Sequence, residues 1–234
     1  MKCRIAEIDI EMNISPATET LFEEYKSNFS IPELRLNVSQ LEVQTRMENG
    51  EFNKSYEFAE SFCNFIKLSE HLTKFNSILL HGAVIRIGNR GIVFCAKGGT
   101  GKTTHMLLWK ELFKDNLTII NGDKPIIRFK EDTPYAFGTP WCGKEGYSVN
   151  DSVILTDICF IERAEENSIK EINPTDAVRE LISQTLVPNN PNEAFLVLGM
   201  VDKLLRKCSI WKIYCNKDIE AAKIASKEIL CKGD

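Results

Sequence analysis

The chain has 234 residues, of which 43% are hydrophobic and 26% charged, proportions that fit one large folded domain or one domain with a small appended lobe. Its net charge is −4 and no basic cluster stands out, so nucleic acid is not expected as a partner. No stretch approaches the length of a membrane span and the N-terminus lacks an apolar signal core, so we expect a cytoplasmic protein without a membrane partner.

The chain has eight cysteines, and no two of them form a CxxC pair. A zinc site of the usual spacing is therefore not predicted. Cys95 and Cys159 lie inside apolar runs, which is typical of buried free thiols in a protein of a reducing compartment.

Residues 1–75 predict a small N-terminal α+β lobe. Apolar and polar residues alternate over 8–14, a pattern that predicts a half-buried strand. The other predicted elements of this lobe are a short helix at 21–29, an extended segment at 34–46 and a helix at 56–75. No residue of the lobe indicates chemistry, so its role is not predicted.

Residues 76–234 predict an α/β domain in which a mixed sheet is flanked by helices. Two apolar strands, 77–87 and 92–96, are joined by the turn GNRG and predict a hairpin. Further strands are predicted at 117–121, 125–129, 135–137, 153–163 and 210–215. Further helices are predicted at 102–113, 174–186, 193–207 and 218–230.

The sequence AKGGTGKT at 96–103 lies between a predicted strand and a predicted helix, which is the setting of a P-loop. Its glycines let several backbone N–H groups face one phosphate, and the helix N-terminus adds partial positive charge. In a P-loop, Lys102 would reach the β- and γ-phosphates and Thr103 would bind Mg²⁺. The alternative is a purely structural turn. The predicted nucleotide-binding residues are Lys97, Gly98, Gly99, Thr100, Gly101, Lys102, Thr103 and Thr104.

Two further residues are predicted to border the phosphate site. Asp123 follows a strand after the loop, where a carboxylate that holds a metal or accepts a proton is expected. An aspartate in a Gly-Asp turn is also common without any function. His81 should lie opposite about Gly98 if the hairpin turns at 89–90. It is either a group of the site or a satisfied histidine within the sheet.

The segment GTPWCGKEG at 138–146 is either a binding loop or a structural loop anchored by Trp141. As a binding loop, it would offer Trp141 and Lys144 to the substrate and Glu145 to the metal. Arg163 ends a predicted strand and is either a clamp for the transferred phosphate or a surface residue of the charged run ERAEEN.

Several segments together resemble the HPr kinase/phosphorylase catalytic domain and its smaller relatives, which include kinases associated with peptide-natural-product clusters. They are LLHGAVIRIGNRGIVFCAKGGTGKTTHMLLW at 79–109, INGDKPIIRF, YAFGTPWCGKE and FIERAEEN. The wider group includes phosphoenolpyruvate carboxykinase, whose P-loop is close to GGTGKTT here. The resemblance covers about residues 77–230. It implies the mixed sheet of this group and the use of ATP and Mg²⁺. HPr kinases assemble into rings, so a homo-oligomer is one alternative for this chain, and its oligomeric state stays open.

The resemblance also assigns roles to matching positions. It makes His81 the histidine before the P-loop and Asp123 the second acid of an Asp-Asp pair near the attacking hydroxyl. Gly122 stands at the position of the first acid, so this chain has one carboxylate in place of two. No copy of the segment that grips HPr is present, so HPr is not expected as the acceptor.

The sequence thus predicts an ATP-dependent kinase that moves the γ-phosphate to a hydroxyl, often that of a serine, on a peptide, a protein or a small molecule. Asp123 would take or orient the hydroxyl proton, and Lys102 would neutralise the transferring group. Two alternatives remain. A switch ATPase would use Lys97 to reach a dimer partner, and a non-catalytic nucleotide-binding scaffold would account for Gly122.

Overall fold

The computed structural model describes residues 1–52 and 54–232, which form a mixed α/β fold with two sheets. The strands are β1 Lys2–Ile5, β2 Ile8–Asn13, β3 Leu34–Asn37, β4 Ser77–Leu79, β5 Ala83–Ile87, β6 Arg90–Cys95, β7 Leu117–Asn121, β8 Ile126–Lys130, β9 Thr133–Phe137, β10 Ser152–Arg163, β11 Ser168–Glu171 and β12 Ser209–Cys215. The α-helices are α1 Pro16–Glu19, α2 Gln40–Glu48, α3 Tyr56–Ser69, α4 Lys102–Phe113, α5 Pro174–Gln184, α6 Pro191–Lys207 and α7 Ile219–Cys231.

The larger sheet sets the position of three strand ends. Its strands follow the order β4-β8-β9-β10-β6-β5-β7, and β12 pairs with both β10 and β11. β10 is parallel to β6 on one side and to β12 on the other, whereas the other pairs are antiparallel. The carboxyl ends of β6, β10 and β12 therefore open on the same edge of the sheet, where ligands bind in sheets of this kind.

Helices cover both faces of the larger sheet. Side chains of a strand alternate between the two faces, so neighbouring residues of one strand pack against different helices. In β10, Ile158 and Phe160 share a core cluster with α5 and α6. Their neighbours Cys159 and Ile161 share a second cluster with α4 and α7. The mixed sheet flanked by helices that the sequence predicted is confirmed.

Residues 1–75 contain the smaller sheet, in which β2 is antiparallel to β1 and parallel to β3. Their apolar core also includes Leu79, Ile126 and Phe137, so this segment packs against β4, β8 and β9. The boundary between two domains near residue 75 stays a prediction.

The extended segment predicted at 34–46 is wrong in its second half. Only Leu34–Asn37 is a strand, and α2 begins directly after Ser39. The Ser39 hydroxyl accepts a hydrogen bond from the Glu42 N–H (3.1 Å) and so caps the helix. The spacing of Ser39 and Glu42 is that of a capping box, a signal that the interpretation as a strand overlooked.

The short helix predicted at 21–29 is shifted. Helical structure begins at Pro16, after the N-cap Ser15, and continues as a 3₁₀ helix that ends at Tyr25. Proline at the first helical position is a common start signal, because its fixed φ suits the helix and its missing N–H would have had no partner. The residues 26–29 are not helical.

The single strand predicted over 77–87 is two strands. β4 pairs with β8, whereas β5 pairs with β6 and β7. The connecting residues 80–82 pass between these two parts of the sheet, and Gly82 lets them do so. A Cβ on Gly82 would lie 2.6 Å from Val93 Cγ2, too close for a side chain to fit. His81 therefore lies in a break before the hairpin and does not pair opposite Gly98.

The remaining expectations about cysteines and membranes have simple outcomes. All eight cysteines are free, and six of them are buried, which confirms the predicted buried thiols. None of the described helices is both long enough and apolar enough to cross a membrane.

His105 lies buried in α4, on the face that packs against the sheet. It is 2% exposed, and its Nε2 accepts a hydrogen bond from Trp109 Nε1 (3.0 Å). Burial lowers the pKa of His105 from 6.5 to about 4, since the protein interior disfavours the charged ring. The folded chain therefore keeps this histidine neutral in a pH range where the unfolded chain binds a proton.

This difference predicts a loss of stability as the pH falls. The contribution of His105 to the free energy of unfolding is complete above about pH 6.5. It decreases towards about pH 4, by about 3 kcal/mol in total, because in this range only the unfolded state gains the proton. Urea unfolding at about pH 7 and about pH 4.5 should show this loss, and His105→Gln should lose about 2–3 kcal/mol less between the two pH values. Glutamine still offers an acceptor to Trp109. Equal losses in both proteins would contradict the assignment.

Candidate functional site

The glycine-rich segment 96–101 connects the end of β6 directly to α4. Gly99 and Gly101 have φ angles of 77° and 118°, in the region that favours glycine. The Thr100 N–H donates to the Lys97 carbonyl oxygen (3.1 Å), which tightens the turn. The first N–H groups of α4 have no partner within the helix. Together with the partial positive charge of the helix N-terminus, they form a setting that can bind an anion.

Arg163, the last residue of β10, holds this loop from its other side. Its guanidinium donates to the carbonyl oxygens of Gly99 and Thr100, the latter at 2.8 Å. In a planar trans peptide the N–H points away from the C=O. Arg163 therefore fixes the loop through its carbonyl oxygens without occupying the N–H groups of the same peptides.

Asp123 follows β7 and lies among three nitrogen-bearing side chains. Its Oδ1 lies 3.1 Å from Lys102 Nζ and 3.1 Å from His81 Nε2, and its Oδ2 lies 2.5 Å from Lys124 Nζ. The three residues predicted as catalytic, His81, Lys102 and Asp123, are thus brought together. Lys124 was not predicted, although its place directly after the acid is a signal that could have indicated it.

Asn121 shapes the turn that presents Asp123. Its side chain is buried, and its Oδ1 accepts from the backbone N–H groups of Asp123 (2.9 Å) and Lys124 (2.7 Å). Its Nδ2 donates to the Thr139 carbonyl oxygen (3.0 Å). Asparagine forms such local hydrogen bonds readily. Asn121 therefore connects the acid to the loop 138–146.

The neighbours of Asp123 decide its protonation state. Burial raises the pKa of the carboxyl, but the hydrogen bonds from His81 and Lys124 and the charge of Lys102 outweigh burial and hold the pKa well below its usual range. The group is therefore an anion at neutral pH and a weak base in this arrangement. The carboxylate would be a better proton acceptor if Lys102 bound another anion instead.

The loop 138–146 has a buried anchor. The Trp141 ring centroid lies 5.7 Å from that of Phe22 and 5.2 Å from that of Phe65, and its Nε1 donates to the Ser61 hydroxyl (3.0 Å). Trp141 is 8% exposed and is not among the residues that line the cavity described below. In this structure Trp141 anchors the loop against the N-terminal segment, as the structural alternative described.

The tip of the same loop lies against Asp123. A Cβ on Gly143 would lie 3.2 Å from Asp123 Cβ and 3.7 Å from Glu145 Oε2. Glu145 and Asp123 therefore lie close together in space, on either side of Gly143. Lys144 Nζ lies 3.7 Å from Glu145 Oε1, and the lysine side chain is largely exposed.

Gly122 has no room for the acid that the resemblance would place there. A Cβ on this residue would lie 2.9 Å from the Cys142 carbonyl oxygen, and the Gly122 N–H already donates to the Tyr147 carbonyl oxygen (2.9 Å). The loop 138–146 thus occupies the space of the missing side chain.

If the chain transfers phosphate, as its sequence predicts, we expect Gly122→Asp to lower the transfer rate, not to restore a two-acid site. The new side chain would displace the loop that carries Glu145, and a displacement near 1 Å in a site costs about 10-fold to 100-fold in rate. Steady-state transfer rates would measure the loss. The matched control is Gly199→Asp in α6, where an added Cβ meets nothing within 4 Å. A faster Gly122→Asp enzyme would contradict the expectation.

A cavity of about 710 Å³ opens at the carboxyl ends of β6, β10 and β12. This volume is in the range of small-molecule sites. All predicted site residues except Trp141 line it. They are His81, Lys97, Gly98, Gly99, Thr100, Gly101, Lys102, Thr103, Thr104, Asp123, Lys144, Glu145 and Arg163.

The same cavity has a wall that was not predicted, formed by Leu107, Ala164, Cys215, Asn216 and Lys217. Most of these residues follow β10 and β12. The sequence predicted both strands but not that they are parallel neighbours, and only that pairing brings their ends to the glycine-rich loop.

The predicted Mg²⁺ residues fit their metal in chemical type. The described part of the chain has no group of three or more His, Cys, Asp or Glu side chains that could enclose a metal ion. Mg²⁺ does not need one, since one or two carboxylates and substrate phosphates usually hold it. Thr103, Asp123 and Glu145 offer oxygen ligands and line one cavity. They fit a Mg²⁺ ion that binds together with a nucleotide.

No protein-family model matches the sequence, and no curated protein matches it. Among solved structures, the HPr(Ser) kinase/phosphatase from Coxiella burnetii aligns with 67% of this chain and 99% of its own, at 8% sequence identity and a TM-score of 0.38. This is a distant structural likeness, too weak to establish a family or a function.

Proposed function

We propose that this chain is an ATP-dependent kinase that transfers the γ-phosphate to a hydroxyl group. The observation that carries the proposal is the contact of Lys102 with Asp123 beside a glycine-rich loop. The Lys102 side chain is only 10% exposed, and its Nζ lies 3.1 Å from a carboxylate that follows a different strand. A purely structural turn needs no such pair, whereas phosphate transfer needs a cation for the phosphates and an acid near the hydroxyl.

In this proposal the triphosphate lies along residues 97–104, bound by the loop N–H groups and the N-terminus of α4. Leu107, Ala164 and Asn216 line the same cavity and offer apolar and polar contacts to the nucleoside. Thr103, Asp123 and Glu145 would hold Mg²⁺, which would supply positive charge to the phosphates.

The side chains then have separate tasks. Lys102 leaves Asp123 and binds the transferring phosphate, a stronger anion than the carboxylate. Asp123, freed of one cation, orients the acceptor hydroxyl and takes its proton. His81, which contacts the same carboxylate oxygen as Lys102, and Lys124, which contacts the other oxygen, keep the carboxylate in place. Positioning and charge supply most of the rate enhancement in such reactions.

The test is transfer of labelled γ-phosphate from ATP with Mg²⁺ to two sets of acceptors, a pool of serine-containing peptides and a set of small hydroxylated metabolites. We expect label on an acceptor in one set, and its loss in Asp123→Asn. ATP bound without label on any acceptor would contradict the proposal.

A second candidate is a nucleotide-binding protein without transfer, a scaffold or a switch. The low pKa of the Asp123 carboxyl favours it, because a carboxylate held by three neighbours is a weak base. ATP-dependent dimerisation without a phosphorylated acceptor would indicate the switch, in which the exposed Lys97 reaches the partner.

A further inference from the structure

A second cavity, of about 640 Å³, lies next to the proposed nucleotide site. α5, β10 and β12 contribute to its walls, and the buried Cys95 and Phe160 are among its lining residues. Lys97 and Thr100 line both cavities. The glycine-rich loop is thus a shared wall, so a ligand in the second cavity lies beside a phosphate on the loop.

The second cavity contains a buried polar group without a partner. Gln184 is 9% exposed, and its Nε2 is 3.2 Å from the Ser183 hydroxyl oxygen. Its Oε1 is buried and accepts no hydrogen bond from the described residues. A buried acceptor that lacks a donor destabilises the folded state. Because this oxygen is screened from the cavity as the side chain stands, a ligand hydroxyl or ammonium group would remove the cost once the amide turns towards it.

Gln184 is also joined to the proposed catalytic group. Its backbone carbonyl oxygen accepts a hydrogen bond from the His81 N–H (2.7 Å), and the His81 side chain contacts Asp123. A wall of the second cavity is therefore connected to Asp123 through His81, while Asp123 itself lines the first cavity.

Of the basic side chains that line the second cavity, one is paired with carboxylates of the described residues and two are not. Lys212 is neutralised, since its Nζ lies 2.8 Å from Glu180 and 3.2 Å from Glu162. Among the described residues, no carboxylate lies within 4.0 Å of the Arg179 guanidinium or of Lys97 Nζ. The exposed Arg179 is thus available for an anion of the ligand, and a guanidinium suits the two oxygens of a carboxylate.

We propose that the second cavity binds the phosphate acceptor and that the acceptor is a small molecule with a hydroxyl and a carboxylate. This rests on the proposed kinase activity. Arg179 binds the carboxylate and Gln184 accepts a hydrogen bond from a hydroxyl or ammonium group. The reacting hydroxyl oxygen bonds to the γ-phosphorus, the bond to the β–γ bridging oxygen breaks, and that electron pair leaves with ADP. The reacting hydroxyl extends past the shared loop wall into the first cavity, which Asp123 lines, and its proton passes to Asp123. Cys95 takes no part, because burial raises the pKa of its thiol to about 12.

The experiment uses the full chain and four probes. L-serine and D-glycerate carry a hydroxyl and a carboxylate, whereas ethanolamine and glycerol lack the carboxylate. Saturation-transfer NMR without nucleotide measures probe binding, a fluorescent ATP analogue measures nucleotide binding, and labelled ATP measures transfer. The variants are Arg179→Gln and Gln184→Leu, with Arg206→Gln on the exposed face of α6 as matched control.

We expect L-serine or D-glycerate to bind and to be labelled, and ethanolamine and glycerol to do neither. Arg179→Gln and Gln184→Leu should weaken binding of the carboxylate probe and raise the KM for that probe by about 10-fold or more. The affinity for the nucleotide should be unchanged. Binding of a carboxylate probe that Arg179→Gln abolishes supports the cavity even where no transfer occurs, and that pattern contradicts only the kinase. Nucleotide binding without binding of either carboxylate probe overturns the inference. Labelling of a serine peptide that both variants leave unchanged also overturns it. In both cases the proposed kinase activity is judged separately, by its own transfer assay.

Discussion

Asp123→Asn should reduce phosphate transfer by about 100-fold or more, with ATP bound at least as tightly as by the wild type. The amide cannot take the acceptor proton, and it presents a neutral oxygen to His81 and Lys102. Among the described residues, the substitution also removes the only carboxylate that contacts both Lys102 and Lys124. The triphosphate therefore meets a more positive site, which favours binding.

Transfer rates with labelled ATP, together with titration of a fluorescent ATP analogue, separate the two effects. Asp132→Asn is the matched control, since Asp132 is exposed and pairs with Lys203 away from the cavity. Normal transfer by Asp123→Asn would show that this carboxylate neither accepts nor orients the proton. Loss of ATP binding would show that its main role is to hold the metal or the loop.

Lys102→Ala should lower kcat/KM by about 100-fold or more and should also weaken ATP binding. The lysine is the first residue of α4, and its Nζ is the cation that the proposal moves from Asp123 to the phosphates. Alanine favours helix, so α4 should keep its start and the fold should be unchanged.

The matched control is Lys223→Ala, an exposed lysine of α7 whose only described ion pair is with Glu220. Circular dichroism and urea unfolding check that both variants remain folded. A Lys102→Ala protein that transfers phosphate at the wild-type rate would contradict the proposed phosphate site, and with it the central assignment of the glycine-rich loop.

Local patterns in the sequence predicted the elements around the site closely. The helix predicted at 102–113 is observed as Lys102–Phe113, because the glycines before it and the apolar face within it leave one consistent structure. The strand predicted at 117–121 is also observed, and it delivers Asp123 to the loop. Such elements depend mainly on neighbours in sequence.

The sequence could not show what depends on distant contacts. The break at 80–82 is set by hydrogen bonds to residues 123, 125 and 184, far along the chain. The wall at Asn216 requires β12 to lie parallel to β10. Arg179 and Gln184 looked like ordinary residues of an amphipathic helix, and only the cavity beside them indicates a ligand.

Because Arg163 fixes two carbonyl oxygens of the glycine-rich loop, the loop has its shape before any ligand arrives. The conformational entropy of ordering the loop is then lost when the chain folds, not when a ligand binds. Because the loop is already in its binding conformation, the apparent Kd of a ligand at the loop equals its intrinsic Kd as far as the loop is concerned. The loop backbone should therefore add no ordering step of its own to ligand capture, and the rate of encounter should be governed by diffusion and by the charge of the site.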